Sequence, residues 1–381
     1  MRVSGFEVLV VPMRLRSPVG SAGLVQRDRS AVLVRLETDQ GVGWGECPAY
    51  PGARWPDPSP DALEPVAVDR VLGRLRAASA DAVLPPADLV TAACRGPAAR
   101  PEQEVADQSV AAAVEMAVLD VELRVGGQSL ASWLGTARRE VETGALVGIP
   151  ADREIGRLLD EAAAAIETGA RRLRVKIEPG WSRAPLEALR ARFGEVALQA
   201  DANGSFDPAH PDVFDELDDL GLVCLEQPFA PAELDAHRRL GQRLRTPIAL
   251  DESLWSPGRV EAALAARACQ VACLKPGRLG GVLAAVAAAR ACAVAQVPCF
   301  VGGFFESGLG RAVNAAVAGR PECSLPGDLS DPDTYLEGNP FSYLECAGGL
   351  VRLASAPGIG AEPRPEVLET VTRRRWVSWQ P

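Results

Sequence analysis

At 381 residues, 47 % hydrophobic and 24 % charged, the chain is long enough for one large domain plus a smaller one and too apolar to be disordered. Its net charge of −10 argues against nucleic acid and anionic membrane as partners. No run of about 18 apolar residues appears, and the first apolar stretch is short with no small-residue cleavage site after it, so a cytoplasmic protein without a membrane span is expected.

The first third reads as α+β. Phe6–Leu15 and Ser30–Ala49 contain strands, the second with a hairpin turn at Thr38–Gly41. The segment between them, residues 16–30, reads as a polar, glycine-containing loop, and residues 51–60 as another. Asp107–Gly127 carries apolar residues at helical spacing and ends on Gly126-Gly127, so it is expected to be a helix. From about residue 142 short apolar strands alternate with helices. Eight strands are expected to end near Val147, Lys176, Asp201, Glu226, Asp251, Lys275, Val301 and Cys323. That rhythm predicts an α/β fold with a closed parallel barrel. The competing fold is an open doubly wound sheet, which needs a glycine-rich phosphate turn. The close glycines of "GVGWGE" at 41–46 sit in the hairpin and open no helix.

The nine cysteines form no C-x-x-C pair. Cys269 and Cys273 have no His or further Cys near them in sequence, so buried reduced thiols are expected rather than zinc. The two histidines, His210 in a proline-flanked loop and His237 in a charged helix, are both expected to be solvated. With so few histidines, a His-based triad or His-rich metal site is not expected.

The strand ends carry the chemistry. Asp201, Glu226, Asp251 and Lys275 close consecutive strands at intervals of 25, 25 and 24 residues. Each interval is one strand–helix unit, so the four groups share one end of the barrel, the end where active sites form. Three carboxylates there repel one another unless a cation lies between them, and all-oxygen ligands favour Mg²⁺, then Mn²⁺. Lys176 ends the second strand and Lys275 the sixth. Those strands face each other across an eight-stranded barrel. A substrate carboxylate on the metal would have one ammonium on each face of its α-carbon, which suits removal and return of the α-proton. The metal would stabilise the enolate. Arg174 shares a strand face with Lys176. On an exposed edge strand it would only discourage aggregation. Beside a catalytic lysine it would lower that lysine's pKa. Arg278 either does the same for Lys275 or is a solvated loop arginine.

With these residues in view, the chain resembles the enolase superfamily, in the muconate-lactonizing-enzyme-like branch and the o-succinylbenzoate synthase and N-acylamino acid racemase group. The likeness rests on "GWGEC" (43–47), "AAVEMAVLDVELR" (112–124), "VKIEPGW" (175–181), "QADAN" (199–203), "LEQPF" (225–229), "TPIALDES" (246–253), "LKPGRLGG" (274–281), "GGFFESGLGRAVN" (302–314) and "LPGD" (325–328). It implies a (β/α)7β TIM-like barrel over residues 131–325, an α+β capping domain over 1–130, and a C-terminal segment, 326–381, that returns to the cap. It also implies Mg²⁺ on Asp201, Glu226 and Asp251, an acid/base pair of Lys176 and Lys275, and Asn203 supporting the metal-bound carboxylate. The loop around Val19–Gln26 and the loop after Glu46 would close over substrate.

Three departures stand out. Arg174 replaces a lysine of the family's K-x-K, Leu146 stands where relatives often carry a small polar residue, and Phe304 and Phe305 replace a Met and an aliphatic residue. With Glu306 and Ser307, these residues are expected to shape the acyl pocket or support it. The expected partner is a small-molecule carboxylate, and the expected assembly a homo-oligomer. The expected reaction is racemisation of an N-acylated amino acid or dehydration to o-succinylbenzoate. Cycloisomerisation of a muconate-like diacid, or another racemase or epimerase reaction, is an alternative. A non-catalytic barrel is disfavoured because both lysines and all three carboxylates are present.

Overall fold

The computed structural model of the protein describes residues 1–49, 56–71, 73–75, 101–370 and 373–378. Strands β1 (Val3–Ser21), β2 (Leu24–Thr38) and β3 (Gly41–Ala49) form an antiparallel meander. Strand β1 also pairs with two short strands from the far end of the chain, β12 (Leu336–Glu337) and β15 (Arg373–Ser378). Residues 16–30 are therefore not the loop that their polarity suggested. They are the outer half of a hairpin that turns on Ala22 and Gly23, both at positive φ. Pro18, Gly20 and the charges hide the alternation there, because this half stands clear of the cap's core and lacks an apolar face.

After a short helix α1 (Pro60–Pro65), the long helix α2 (Pro101–Val125) crosses the cap sheet. Val110, Val114, Val118 and Val121 recur at helical spacing and are fully buried with Phe6, Val32 and Val34. Each such valine contributes about 1.5 kcal/mol or more by leaving water. The glycines of "GVGWGE" serve this contact. A Cβ on Gly43 or Gly45 would lie 1.9 Å from Ala117 O or 1.8 Å from Ala113 O, so only glycine lets the helix backbone come this close.

Seven parallel strands follow in consecutive order: β5 (Ala145–Val147), β6 (Leu173–Lys176), β7 (Leu198–Asp201), β8 (Cys224–Glu226), β9 (Ile248–Leu250), β10 (Val271–Leu274) and β11 (Cys299–Val301). Strands β6 to β11 are buried on both faces, which explains why they read as short apolar runs rather than alternating ones. Helices α4 (Ile155–Glu167), α5 (Arg183–Phe193), α6 (Leu234–Arg243), α7 (Pro257–Ala265), α9 (Val282–Val294) and α10 (Gly308–Ala318) occupy the crossovers. The four-residue helices α3 (Leu130–Trp133) and α8 (Pro276–Leu279) precede the barrel and α9. Arg174 lies on an interior strand, not an edge. The expected eighth strand is weaker than predicted. Residues 323–327 fill its place through single parallel bridges, Cys299 to Cys323 and Thr143 to Gly327. Strand β4 (Glu140–Glu142) joins β13 (Cys346–Ala347) and β14 (Leu350–Arg352) in a small separate sheet.

Seven of the eight described cysteines are buried and all eight are unpaired, and Cys94 lies outside the described residues. The expectation for His237 fails. Its ring is fully buried, where Nδ1 donates to Glu233 O (2.8 Å) and Nε2 accepts from Phe229 N (3.2 Å). Burial drives its pKa from 6.5 down to about 4. The unfolded chain therefore binds a proton below pH 6.5 that the folded chain refuses until about pH 4. Stability is expected to fall across that window, by roughly 2–3 kcal/mol at its acid end. Urea midpoints measured from pH 7 to 4 check this, since His237→Asn should show a shallower loss than the parent.

Candidate active site

The site lies at the C-terminal ends of β6 to β11, beneath the β1–β2 hairpin. In-register pairing puts Lys176 beside Asp201, and Asp201 beside Glu226. Asp251 directly follows β9 and Lys275 directly follows β10. All five side chains are buried, Asp201 and Glu226 completely. Lys176 Nζ donates to Asp201 Oδ2 (2.6 Å) and Asn203 Oδ1 (2.7 Å), while Lys275 Nζ donates to Asp251 Oδ2 (2.6 Å). Each lysine thus rests on a different carboxylate of the set.

The carboxylates feel one another. Burial, reinforced by Asp201, pushes Glu226 up to about 8. Burial also opposes ionisation of Asp251, but Lys275 and Arg278 outweigh it and hold that carboxyl well below the usual range. One oxygen each of Glu226 and Asp251 and the Cys273 sulfur lie within 4.8 Å of one another. Burial drives the Cys273 thiol well above its ordinary pKa, so it stays protonated there and is a poor ligand beside two carboxylates. A crowded set of buried carboxyl oxygens with a neutral thiol suits a hard divalent cation rather than zinc.

Arg174 is held by carboxylates on several sides. Its Nη1 lies 3.3 Å from Glu226 Oε1 and 3.6 Å from Asp201 Oδ2, and its Nη2 lies 3.1 Å from Asp328 Oδ2. Burial disfavours its charge, but Asp328, Glu226 and Asp201 together keep it firmly protonated. Arg172 pairs with the other oxygen of Asp328 at 2.7 Å and also bonds Gln199, which in turn bonds Glu226. Arg174→Ala is expected to lose about 3–5 kcal/mol of stability, because it leaves buried carboxylates without their counter-charge. Arg174→Lys should recover part of that, restoring a charge but not the fork. Urea unfolding of the two variants checks this.

Arg278 is not a solvated loop residue. It is 1 % exposed, and its guanidinium binds Asp251 Oδ1 (2.6 Å) and both oxygens of Asp57 (2.9 and 3.0 Å). Asn203 takes a positive φ of 44°. It accepts from Ser21 Oγ (2.7 Å) and donates to Glu252 Oε1 (2.9 Å), tying the hairpin tip to the barrel rim. Gly23 N donates to Glu178 Oε2 (2.7 Å), and Gly20 pairs with Ile149, where a Cβ would sit 2.3 Å from Ile149 O. The Val19–Gln26 segment therefore does cover the strand ends. The loop expected after Glu46 falls largely on residues 50–55, outside the described residues.

Under the hairpin is a cavity of about 310 Å³ whose walls include Leu146, Arg174, Lys176, Asn203, Asp251, Lys275 and Phe305. Phe304 is buried beside it, with Lys275 Nζ 4.3 Å from its ring centroid. Glu306 and Ser307 are elsewhere. Glu306 binds Asn314 Nδ2 (2.8 Å) and Arg311 (3.3 Å). Ser307 donates through N (2.9 Å) and Oγ (2.6 Å) to Glu46 of the cap and caps α10. Neither lines the cavity, so both support the loop rather than face its contents. Asp57 and Glu252 were not singled out from sequence. Glu252 had a signal, lying next to Asp251 in "ALDES", whereas Asp57 in a proline-rich loop had none.

No helix among the described residues is long and apolar enough to cross a membrane. Residues 5–135 match the mandelate racemase / muconate lactonizing enzyme N-terminal domain, and residues 157–367 match the enolase C-terminal domain-like family. The chain is 36 % identical to an N-succinylamino acid racemase from Amycolatopsis sp. over 379 residues, covering 99 % of this chain and 100 % of the relative. It is 32 % identical to an o-succinylbenzoate synthase from Geobacillus kaustophilus over 366 residues, 95 % of this chain and 93 % of the relative. A crystal structure of an enolase-superfamily member from Listeria innocua Clip11262 superposes with a TM-score of 0.88 at 25 % identity, covering 99 % of each chain. With the lysines, the buried carboxylates and the capped barrel already placed, these likenesses make the chain an enzyme of the enolase superfamily, built from the two domains of its mandelate racemase and muconate-lactonizing branch.

Proposed function

We propose that the enzyme removes and returns the proton α to the carboxylate of an N-acylated amino acid, interconverting its two enantiomers. What carries this reading is the placement of Lys176 and Lys275. They come from the second and sixth of seven consecutive strands, and both line one cavity. A carbon held between them meets an amine on each side. One lysine takes the α-proton, and the other, as the ammonium, delivers a proton to the opposite face. Asp201, Glu226 and Asp251 would hold Mg²⁺ or Mn²⁺, which supplies positive charge to the substrate carboxylate. Asn203 bonds Lys176 and fixes where its amine points. Arg174 sits among Glu226, Asp201 and Asp328 and keeps those three carboxylates in place. The β1–β2 hairpin forms one wall of the cavity.

Dehydration to o-succinylbenzoate is the second reading, supported by the synthase relatives and by the same lysines, which serve a syn elimination as well as a racemisation. The test is to incubate the Mg²⁺-loaded enzyme in D₂O with single enantiomers of N-succinyl and N-acetyl amino acids. α-Proton exchange and loss of optical rotation are expected. An enzyme that exchanges the α-proton of neither class refutes the racemase reading.

A further inference from the structure

The two candidate bases are not held alike. Lys176 is the last residue of β6 and rests on Asp201 and Asn203. Lys275 stands just past β10, at the N-cap of the four-residue helix α8. Residues 275–281 carry the chain from there to the start of α9. This turn closes on itself. Arg278 N and Leu279 N both donate to Lys275 O (3.0 Å each), and Gly281 N donates to Pro276 O (2.9 Å). Whatever fixes the turn against the rest of the molecule therefore fixes the backbone that carries Lys275.

The cap fixes it at two points. Pro48 of β3 packs so closely on Gly277 that a Cβ there would lie 2.8 Å from the Pro48 ring. The far end is held by Glu115 of α2, which is 2 % exposed. Its Oε2 accepts from Val282 N, and its Oε1 from Leu283 N (3.3 Å). Those are donors that the first turn of a helix leaves open. A helix ordinarily fills them from its own N-cap, with Ser, Thr, Asp or Asn. The N-cap of α9 is Gly281, at φ 126° and with no side chain to offer. A Cβ on it would lie 1.9 Å from Glu115 Oε2, so the distant carboxylate occupies the space that a local capping residue would need. The start of α9 is therefore completed by the other domain, from a residue 167 positions before Val282.

We propose that Glu115 is a positioning residue for Lys275: by capping α9 from the cap domain it locks the 275–281 turn, and it has no such hold on Lys176. The inference rests on the two-lysine reading given under Proposed function. Glu115 is not part of the cavity wall, so it acts through the backbone of the turn and not on substrate. On the Lys176 side the cap makes a different contact, from Gly23 N at the hairpin tip to Glu178 Oε2 (2.7 Å). Loosening the Glu115 contact thus moves one base and leaves the other in place. Misplacing a catalytic group by about 1 Å costs up to about a hundredfold in rate.

The experiment uses the single-lysine variants as separate reporters. In Lys176→Ala, α-proton exchange in D₂O comes from Lys275. In Lys275→Ala it comes from Lys176. Each Mg²⁺-loaded variant is given both enantiomers of an N-succinyl amino acid at saturating concentration. The assay runs at pH 8, where Glu115 is ionised although burial pushes its carboxyl up to about 7. Adding Glu115→Ala should slow the Lys275 exchange roughly tenfold and change the Lys176 exchange by less than about twofold. Glu115→Gln, which keeps an acceptor for Val282 N, should show a smaller loss on the same side, and it serves as the test if Glu115→Ala does not fold. Asp120 of the same helix is the control, since it bonds Ile359 N (3.2 Å) near the end of the chain. Asp120→Asn loosens the cap there and should not separate the two exchange rates. Equal losses in the two lysine backgrounds, or the same one-sided loss from Asp120→Asn, overturn the inference while leaving the racemase reading intact. Exchange by neither single-lysine variant overturns the two-lysine reading, and the inference with it.

Discussion

Replacing either Lys176 or Lys275 by alanine is expected to abolish racemisation, with a loss of at least about 10³-fold, the scale of a positioned acid or base. The argument is geometric. Each amine rests on its own carboxylate, Lys176 on Asp201 and Lys275 on Asp251, so the two do not substitute for one another. Inversion needs both faces of the α-carbon to be served. Deuterium exchange separates the two roles. Lys275→Ala should still exchange one enantiomer through Lys176, and Lys176→Ala the other through Lys275. Each variant also strips a buried carboxylate of its ion-pair partner, so both are assayed with Mg²⁺ present and their fold is checked by circular dichroism. Persistent racemisation in either variant would mean that one residue, or water, serves both faces, and the two-lysine reading would have to be abandoned.

Stripping divalent ions should reduce turnover to background, with Mg²⁺ restoring it. Glu226 is the most informative ligand to change. It is fully buried, within 4.8 Å of an oxygen of Asp251, and raised to about 8 by burial and by Asp201. Burial and the neighbouring carboxylates, not a lack of cationic partners, set it apart, since Arg174 also lies 3.3 Å from it. Glu226→Gln retains the shape but removes one charge. Mg²⁺ affinity, read by calorimetry on the purified protein, should fall at least about a hundredfold, since even residues that only orient ligands cost ten- to a hundredfold. Asp251→Asn should behave alike. Unchanged Mg²⁺ affinity in both variants would exclude these carboxylates as the metal site.

Much of this site was legible in the sequence, because a parallel barrel repeats. Asp201, Glu226, Asp251 and Lys275 recur once per strand–helix unit, so counting along the chain amounts to walking around the rim. What counting cannot see is contact between distant segments. Arg278 reads as a loop residue until Asp57, 221 positions away, is placed against it. His237 sits among charges in sequence, but its side of α6 turns inward onto Phe229. The hairpin was hidden because its strands extend past their own core and take their support from the barrel rim. Glu306 and Ser307 followed a motif whose purpose here is partly to anchor the cap.

That anchoring bears on the order in which the chain can assemble as it is made. The cap's first strand is synthesised at once, yet one of its edges is completed only by β12 and β15. Two buried cap carboxylates also await later parts of the chain. Glu46 receives Ser307 and Gly310 at the start of α10, and Glu115 receives Val282 and Leu283 at the start of α9. At about 5–20 residues per second, the N-terminal hairpin waits tens of seconds for these partners. During that interval it offers a long unpaired strand edge to other chains. Yield from a living cell should therefore depend on translation speed and chaperone supply more than the stability of the finished enzyme would suggest, and trimming the last residues should expose the same edge permanently.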